Sequence, residues 1–183
     1  FTYGARKNIS LYGVAGWDRV FVQGIAADAK PADIQTAGTI AGRALMSEPG
    51  ALTVAAKGMH TPVVSEIATG LGIGQYRVDF YNTAARATVM PGAIAVVSDD
   101  VHAADHYASR GQHIVDAVYW TRNISNEPAN IVYPDAFAQR TREAFAGVPG
   151  VTAKSTACWF SASAWLTPPP KPWAMRSGVS RSG

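Results

Sequence analysis

The sequence predicts an α/β protein in which a sheet is layered with helices. Three observations predict this class. A short apolar run over 20–25 (VFVQGI) ends in a glycine-containing stretch and is followed by apolar residues at helical spacing over 30–46. A second apolar run over 93–97 (AIAVV) precedes one long helical pattern over 101–123. Strands that alternate with helices of this length are typical of a sheet covered by helices.

The extended segments are predicted from short apolar runs that are bounded by glycine, proline or polar residues. They lie in two pieces within 1–14, and at 20–25, 52–56, 93–97 and 151–154. The segment at 20–25 is predicted to be a buried strand, because it is rich in β-branched and aromatic residues and contains no charge.

The helix predicted over 30–46 begins well but contains two glycines. Pro31 suits the first helical turn, where its missing N–H would have no partner in any case. Gly38 and Gly42 each weaken a helix by about 1 kcal/mol relative to alanine. The sequence therefore predicts that these glycines allow close packing of the helix on a sheet.

Three further helices are predicted along the chain. The first covers 62–71 and is closed by glycines at 70, 72 and 74. The second is the long helix over 101–123, and the third covers 134–145. The predicted apolar face of the long helix consists of Tyr107, Gly111, Ile114, Val118 and Thr121.

The charge of the chain is concentrated at one end. Residues 1–154 contain 13 Lys or Arg and 13 Asp or Glu, so the net charge of +3 comes from Lys171, Arg176 and Arg181. This balance argues on electrostatic grounds against nucleic-acid binding by the folded part. No apolar run reaches the roughly 18 residues of a membrane span. The single cysteine, Cys158, fits a reducing compartment, and a cytoplasmic location is predicted.

A rigid junction between two helices is predicted at 121–137 (TRNISNEPANIVYPDAF). Pro128 and Pro134 each disfavour helical backbone in the residue before them, so a helix that arrives from upstream stops here. Asn126 and Asn130 have short polar side chains that can cap the helix end or bond a turn.

Two segments carry a more specific pattern. One is the junction, with Asn126-Glu127-Pro128-Ala129-Asn130 followed by Tyr133-Pro134, and the other is GQYRVDFY over 74–81. Together they resemble signatures of the leucyl aminopeptidases, also called cytosol aminopeptidases. The residues that carry the resemblance, to which only a structural role is assigned, are Tyr76, Arg77, Asp79, Tyr81, Asn126, Glu127, Pro128, Ala129, Asn130 and Pro134.

The resemblance covers about residues 1–154 and implies a macro-domain-like fold, a mixed sheet with helices on both faces, followed by a long connecting helix. It also implies the family's chemistry, in which two divalent cations (manganese or zinc) activate a water that releases N-terminal residues from peptides. Peptide substrates and a homo-hexamer are expected for the full-length protein. The family's metal-binding strings, Gly-Lys-Gly…Asp-Ser-Gly-Gly and Asn-Thr-Asp-Ala-Glu-Gly-Arg, do not occur in these 183 residues. No cofactor and no catalytic or metal-binding residue is therefore assigned to this chain, and it is expected to be an inactive fragment.

The resemblance divides the chain into four regions. Residues 1–100 are predicted to be an incomplete N-terminal domain, 101–126 the connecting helix, and 127–154 the first elements of a truncated catalytic domain. Residues 155–183 contain no acidic residue and three of the five tryptophans, and are predicted to be an aberrant, disordered tail. A natural disordered tail is the alternative.

Other functions stay open at this point. The chain could be a non-catalytic oligomerisation or DNA-binding module, or a macro-like fold that holds an ADP-ribose-type ligand. His102 and His106 have the spacing of a zinc helix, but Ala103 stands where that helix needs its general-base glutamate. The group around Tyr76 is either a subunit or interdomain contact or a helix end that is satisfied by Arg77.

Overall fold

The computed structural model describes residues 7–48, 50–78, 81 and 91–153. The chain divides into two compact units, with the boundary between Asn126 and Glu127. The elements in chain order are β1 (Asn8–Val14), β2 (Trp17–Gln23), α1 (Pro31–Ala44), β3 (Gly50–Ala55), α2 (Thr61–Gly74), β4 (Pro91–Val97), α3 and α4 (Pro134–Ala144). Helix α3 consists of the consecutive segments Ala103–His106, Tyr107–Gly111 and Gln112–Asn126. Antiparallel pairing of β1 with β2 and parallel pairing of β3 with β4 confirm the predicted α/β class with mixed strand directions.

The first two strands form a hairpin with a two-residue turn. Ala15 and Gly16 both have positive φ angles, 53° and 82°, and Val14 pairs directly with Trp17. This backbone matches the twist of the strands that it joins.

The prediction of a buried strand at 20–25 was wrong, because β2 has only a β1 partner among the described strands and most of its residues are partly or fully exposed.

The hairpin is attached to the end of α1 by one arginine. The Arg19 guanidinium donates to the Ala44 carbonyl at 3.2 Å, forms a short ion pair with Glu48, and donates to the Ser10 hydroxyl at 3.0 Å. It also lies over the rings of Tyr12 and Phe21. Such a planar cation stacks on aromatic faces while its N–H groups stay free to donate.

The parallel pair β3–β4 has one face toward the helices. Leu52, Val54, Ile94 and Val96 are half-buried, whereas the residues between them are exposed, as the two-residue period of a strand requires. Helices α1 and α2 cover the half-buried face with the core residues Ile34, Ile67 and Leu71. The opposite, exposed face consists of Ala51, Thr53, Ala55, Ala93, Ala95 and Val97.

Helices α1 and α2 pack against each other through glycines on both sides. A Cβ atom on Gly38 would lie 2.5 Å from the Ile67 carbonyl oxygen, and one on Gly70 would lie 2.9 Å from the Gly38 Cα atom and closer still to the Gln35 carbonyl oxygen. The Gly42 and Gly74 positions show the same close approach. The predicted close packing is present, but its partner is helix α2 and not a sheet.

This contact also explains why α2 is longer than predicted. The helix continues through Gly70 and Gly72, so these two glycines do not close it. Gly74 is its last residue. Glycine is unfavourable inside an isolated helix, and here packing of Gly70 against α1 and of Gly72 against Val115 of α3 outweighs that preference.

Helix α3 contains a five-residue π segment, Tyr107–Gly111. The predicted helix over 101–123 is therefore present, but it ends at Asn126 and its buried face differs from the regular pattern. Gly111 and Val115 are buried, whereas Thr121, a predicted core residue, is exposed. The wider turn adds one residue, which moves every following position around the helix axis.

The second unit is described from residue 127 to 153. Its helix α4 begins with Pro134 in the first turn and contains no buried residue. The strand predicted at 151–154 is wrong for residues 151–153, which have no regular secondary structure. The tail predicted at 155–183 and the segment before residue 7 lie outside the described residues. Within the described part of the chain, no helix combines the length and apolar character needed to cross a membrane.

Candidate functional site

The carboxyl ends of β3 and β4 are joined by two aspartates that follow β4. Asp99 accepts a hydrogen bond from the Gly58 amide at 3.1 Å, which fixes the loop after β3. Asp100 accepts from the Thr61 amide at 3.1 Å and from the Thr61 hydroxyl, and so holds the first turn of α2. Its other oxygen accepts from the His102 amide at 3.0 Å. These carboxylates link two loops at the edge where α/β proteins usually bind ligands.

Acid is expected to weaken the folded state partly through Asp100. The Thr61 hydroxyl is the main cause that lowers the pKa of the Asp100 carboxyl below its ordinary value of 3.8, and the His102 amide adds to this effect. A carboxyl with a lowered folded pKa stabilises the fold above its unfolded pKa, and this contribution disappears as the pH falls through the folded pKa. The urea midpoint of the Asp100→Asn variant should therefore change less than that of the parent chain between about pH 7 and about pH 3. Equal changes in both proteins would contradict this role.

A cavity of about 490 Å³ lies beside this edge of the sheet. Its walls come from α2, β4 and the start of α3, all within the first unit. Most of the lining is aliphatic, and Ser98, Asp100 and Tyr107 supply its polar side chains. This volume lies in the range of small-molecule sites.

A second cluster joins the end of α2 to the last turns of α3. The Tyr76 hydroxyl donates to Asn123 Oδ1 at 3.0 Å and accepts from Asn126 Nδ2 at 3.3 Å. Its ring meets the Tyr119 ring edge-on at 5.1 Å between centroids and lies under the Arg122 guanidinium. The Tyr119 hydroxyl donates to the Gly72 carbonyl at 2.8 Å, and burial raises the pKa of this phenol. We call these residues the Tyr76 cluster.

The Tyr76 cluster brings together the two signature segments that the sequence singled out. Tyr76 belongs to the 74–81 stretch, and Asn126 is the first residue of the signature string in the junction, 50 positions later. Asn126 Nδ2 also donates to the Arg122 carbonyl at 2.7 Å, so the predicted capping of the helix end by Asn126 is present. The last turn of α3 is therefore held by contacts within the first unit.

Removing the Tyr76 hydroxyl is expected to loosen the end of α3. The Tyr76→Phe variant keeps the ring contacts but loses two hydrogen bonds at an exposed position, which should cost about 0.5–1 kcal/mol. Amide hydrogen exchange should accelerate in the last turn of α3 and stay unchanged in α1. The matched control is Tyr12→Phe, which removes a phenol from the hairpin. Unchanged exchange at residues 122–126 in Tyr76→Phe would contradict the role of the cluster.

The remaining junction residues lie in the second unit. Glu127 forms an ion pair with Arg140, with 2.9 Å between Oε1 and Nη1. The Pro128 carbonyl accepts from the Ile131 and Val132 amides, which closes a turn that contains Ala129 and Asn130. No hydrogen bond joins the Asn130 side chain to another described residue, so the predicted turn bond of this side chain is not seen.

Three other signature residues have less defined surroundings. Arg77 is half-buried and Tyr81 is exposed, and both make contacts in the folded chain. Asp79 lies outside the described residues. The structural role predicted for all ten signature residues, these three included, remains a prediction.

The histidine pair does not form part of a metal-ligand group in the described structure. His102 precedes the first turn of α3, and His106 ends its first segment. Among the residues that the structure describes, no three His, Cys, Asp or Glu side chains are close enough to hold a metal ion. The described residues thus do not fit the two divalent cations of the implied family.

Two features of the site were missed in the sequence. Glu66 lies in the α2 face that packs on its neighbours, with 7% exposure, where Arg110 donates to it at 2.6 Å and Gln35 at 3.2 Å. The cavity was missed as well. The buried Glu66 could have been found from its position as a charged residue among apolar neighbours. No sequence pattern predicts the cavity.

The comparison of sequences found several curated relatives. A probable cytosol aminopeptidase from Nitrobacter hamburgensis is 30% identical over 133 residues, which cover 67% of this chain and 26% of the relative. Another, from Xanthobacter autotrophicus, is 30% identical over 155 residues, which cover 79% of this chain and 31% of the relative. The chain therefore spans between a quarter and a third of the length of these relatives. No protein-family model matches the chain.

Solved structures show the same fold. A tomato leucine aminopeptidase variant matches 80% of this chain and 30% of its own, with a TM-score of 0.65 and 18% identity. The bottromycin maturation enzyme BotP in complex with Mn matches 80% of this chain and 31% of its own, with a TM-score of 0.60 and 24% identity. At these identities the structural matches establish the fold alone.

Proposed function

This chain belongs to the leucyl (cytosol) aminopeptidase family, and we propose that its residues 1–100 belong to the non-catalytic N-terminal domain of such an enzyme and residues 101–126 to its connecting helix. The observation that carries the proposal is the sequence match to probable cytosol aminopeptidases over most of the chain. The fold supports it, since the match to a leucine aminopeptidase structure covers four-fifths of the chain. We also propose the cytoplasm as its location.

The Tyr76 cluster is proposed to have a structural role in this domain. It fixes the last turns of α3 on α2, and α3 is the element that leads to the junction. The proposed role of the cluster is therefore to hold the end of the connecting helix on α2, up to the residue where the first unit ends.

Residues 127–154 are proposed to be the first elements of the peptidase domain. Phe137 lies in α4 and Phe145 directly follows its last residue, and both side chains are more than 40% exposed. An amphipathic helix of this kind gains its stability from packing on a partner. The peptide substrates, the homo-hexamer and the two divalent cations, manganese or zinc, are proposed for the whole enzyme.

The activity assay tests whether these 183 residues suffice for catalysis. The purified chain is incubated with Leu-p-nitroanilide and either Mn²⁺ or Zn²⁺, next to the full-length relative from Xanthobacter autotrophicus. We expect no release of p-nitroaniline above the protein-free rate, because no metal-ligand group is present in the described residues. Release that scales with chain concentration and stops on addition of a chelator would overturn the proposal.

Hydrogen exchange tests the division at residue 126 separately. Amides of α2 and the middle of α3 should be protected, whereas those of α4 should exchange at nearly the unprotected rate in the isolated chain, because α4 buries no residue. Protection of α4 equal to that of α2 in a monomer would show that 127–154 need no further partner.

A further inference from the structure

The cavity beside β4 combines an apolar interior with a polar rim. Val64, Ala68 and Leu71 of α2 and Ile94 and Val96 of β4 form its inner walls. Val101, which is 82% exposed, lines its outer part, so the cavity opens to solvent on that side. A small molecule could therefore enter without any movement of the core.

The polar groups of the rim keep unused hydrogen-bonding capacity. An ionised carboxylate has about four acceptor sites, and the described contacts of Asp100 use three of them. Ser98 Oγ accepts from the Asp100 amide at 3.1 Å, which leaves its own proton available. The Tyr107 hydroxyl forms no hydrogen bond with another described residue.

The π segment provides an independent observation at the same place. Tyr107 is its first residue and lines the cavity. Interruptions of this kind within α-helices are frequent at functional sites, because they cost helix stability and redirect side chains. Burial raises the pKa of the Tyr107 phenol, and nearby Asp116 adds to this effect, so the hydroxyl is a neutral donor at physiological pH.

We propose that this cavity is a binding site for a small apolar primary amine, with its hydrocarbon part against α2 and β4 and its ammonium group at Asp100. The charge at the rim decides the class of ligand. Asp100 is the only charged residue that lines the cavity in the described part of the chain, so a cation is favoured over a neutral or anionic molecule of the same shape. This site is separate from peptide hydrolysis and does not depend on the function proposed above.

The test compares three compounds that share one hydrocarbon body. The 183-residue chain is titrated with 2-phenylethylamine, 2-phenylethanol and phenylacetate, and backbone amide shifts are followed by NMR. We expect a dissociation constant on the order of 1 mM for the amine, as is usual for fragments of this size. The alcohol should bind about fivefold more weakly and the carboxylate more weakly still. The largest shifts should occur at Ala68, Ile94 and Tyr107.

Two variants at an exposed position test the role of charge without disturbing the core. Val101→Lys should weaken amine binding about fivefold and improve binding of the carboxylate, whereas Val101→Glu should do the reverse. Ala68→Leu, which fills the inner part of the cavity, should reduce binding of amine and alcohol alike.

Several results would overturn the proposal. Equal affinity for the three compounds would show that charge has no part in recognition. Shifts located away from β4 and α2, or amine binding that is unaffected by Val101→Lys and by Ala68→Leu, would show that the cavity is not the site. No detectable binding of the amine at 10-fold the expected dissociation constant, about 10 mM, would also reject it.

Discussion

Replacing Gly70 with alanine is expected to lower the free energy of unfolding of the first unit by about 1–2 kcal/mol. The added Cβ atom would lie 2.9 Å from the Gly38 Cα and Thr39 N atoms, and closer still to the Gln35 carbonyl oxygen. All three are backbone atoms of α1, so the clash cannot be relieved by a change of rotamer and the two helices must separate. Overpacking typically costs about 1–3 kcal/mol, and a clash with three backbone atoms belongs at the upper end of that range. Subtracting the gain of about 1 kcal/mol in helix propensity leaves a net loss of about 1–2 kcal/mol.

The matched control for this prediction is Thr36→Ala on the exposed face of α1. Its free energy of unfolding should lie within about 0.5 kcal/mol of the parent value. Both variants are measured by urea denaturation, with the helix signal in circular dichroism. A stabilised Gly70→Ala variant would show that the helices do not approach as closely as the structure indicates.

Replacing Arg110 with alanine is expected to destabilise the first unit by about 2 kcal/mol. The change leaves the buried Glu66 carboxylate with Gln35 as its remaining described donor. A buried charge that loses its partner is costly, at about 3–5 kcal/mol when both groups are fully buried. The Arg110 side chain is 61% exposed, so solvent screening reduces this figure.

A double-mutant cycle isolates this ion pair. Glu66→Gln removes the charge but keeps the shape of the side chain, so the Arg110→Ala change should cost much less in the Glu66→Gln background than in the parent chain. A coupling of about 1 kcal/mol or more is expected between the two positions. Additive effects would show that Arg110 contributes only its hydrocarbon stem. The matched single change Arg43→Ala, on the exposed side of α1, should have little effect.

The positions of most helices and strands could be predicted from the sequence alone. The helices at 31–44 and 134–144 and the strands at 50–55 and 91–97 lie within a few residues of the predicted segments. Apolar spacing and helix-starting prolines are local signals, and in these segments the tertiary structure agrees with them. The α/β class follows from the same alternation.

The differences arise where distant contacts decide the outcome. The glycines of α2 were interpreted as a stop signal, because glycine inside a helix is unfavourable unless another backbone packs against it. The neighbouring helices explain them, because Gly70 and Gly74 lie against the backbone of α1 and Gly72 lies against the Val115 side chain of α3. In the same way, the exposure of β2 depends on how many strands pair with it, which a segment of seven residues does not encode.

The candidate site was predictable only in part. The two signature segments were identified separately, but nothing in either predicts that Tyr76 and Asn126 share a hydrogen bond. The cavity depends on small side chains from α2 and β4 that are individually unremarkable. Its polar rim combines Ser98 and Asp100 with Tyr107, whose position is set by a wide helical turn.

That wide turn also determines where the chain can change in length. The segment Tyr107–Gly111 contains one residue more than a regular turn would need, and each residue advances the helix by about 100°. Loss of one residue there would restore an ordinary helix and leave Val115 and Tyr119 on α2, whereas a loss after Gly111 would rotate the Asn126 end away from Tyr76. Orthologues with a regular connecting helix should therefore align with a single-position gap at 107–111, and an alignment that places this gap elsewhere would pair non-equivalent residues along the rest of α3.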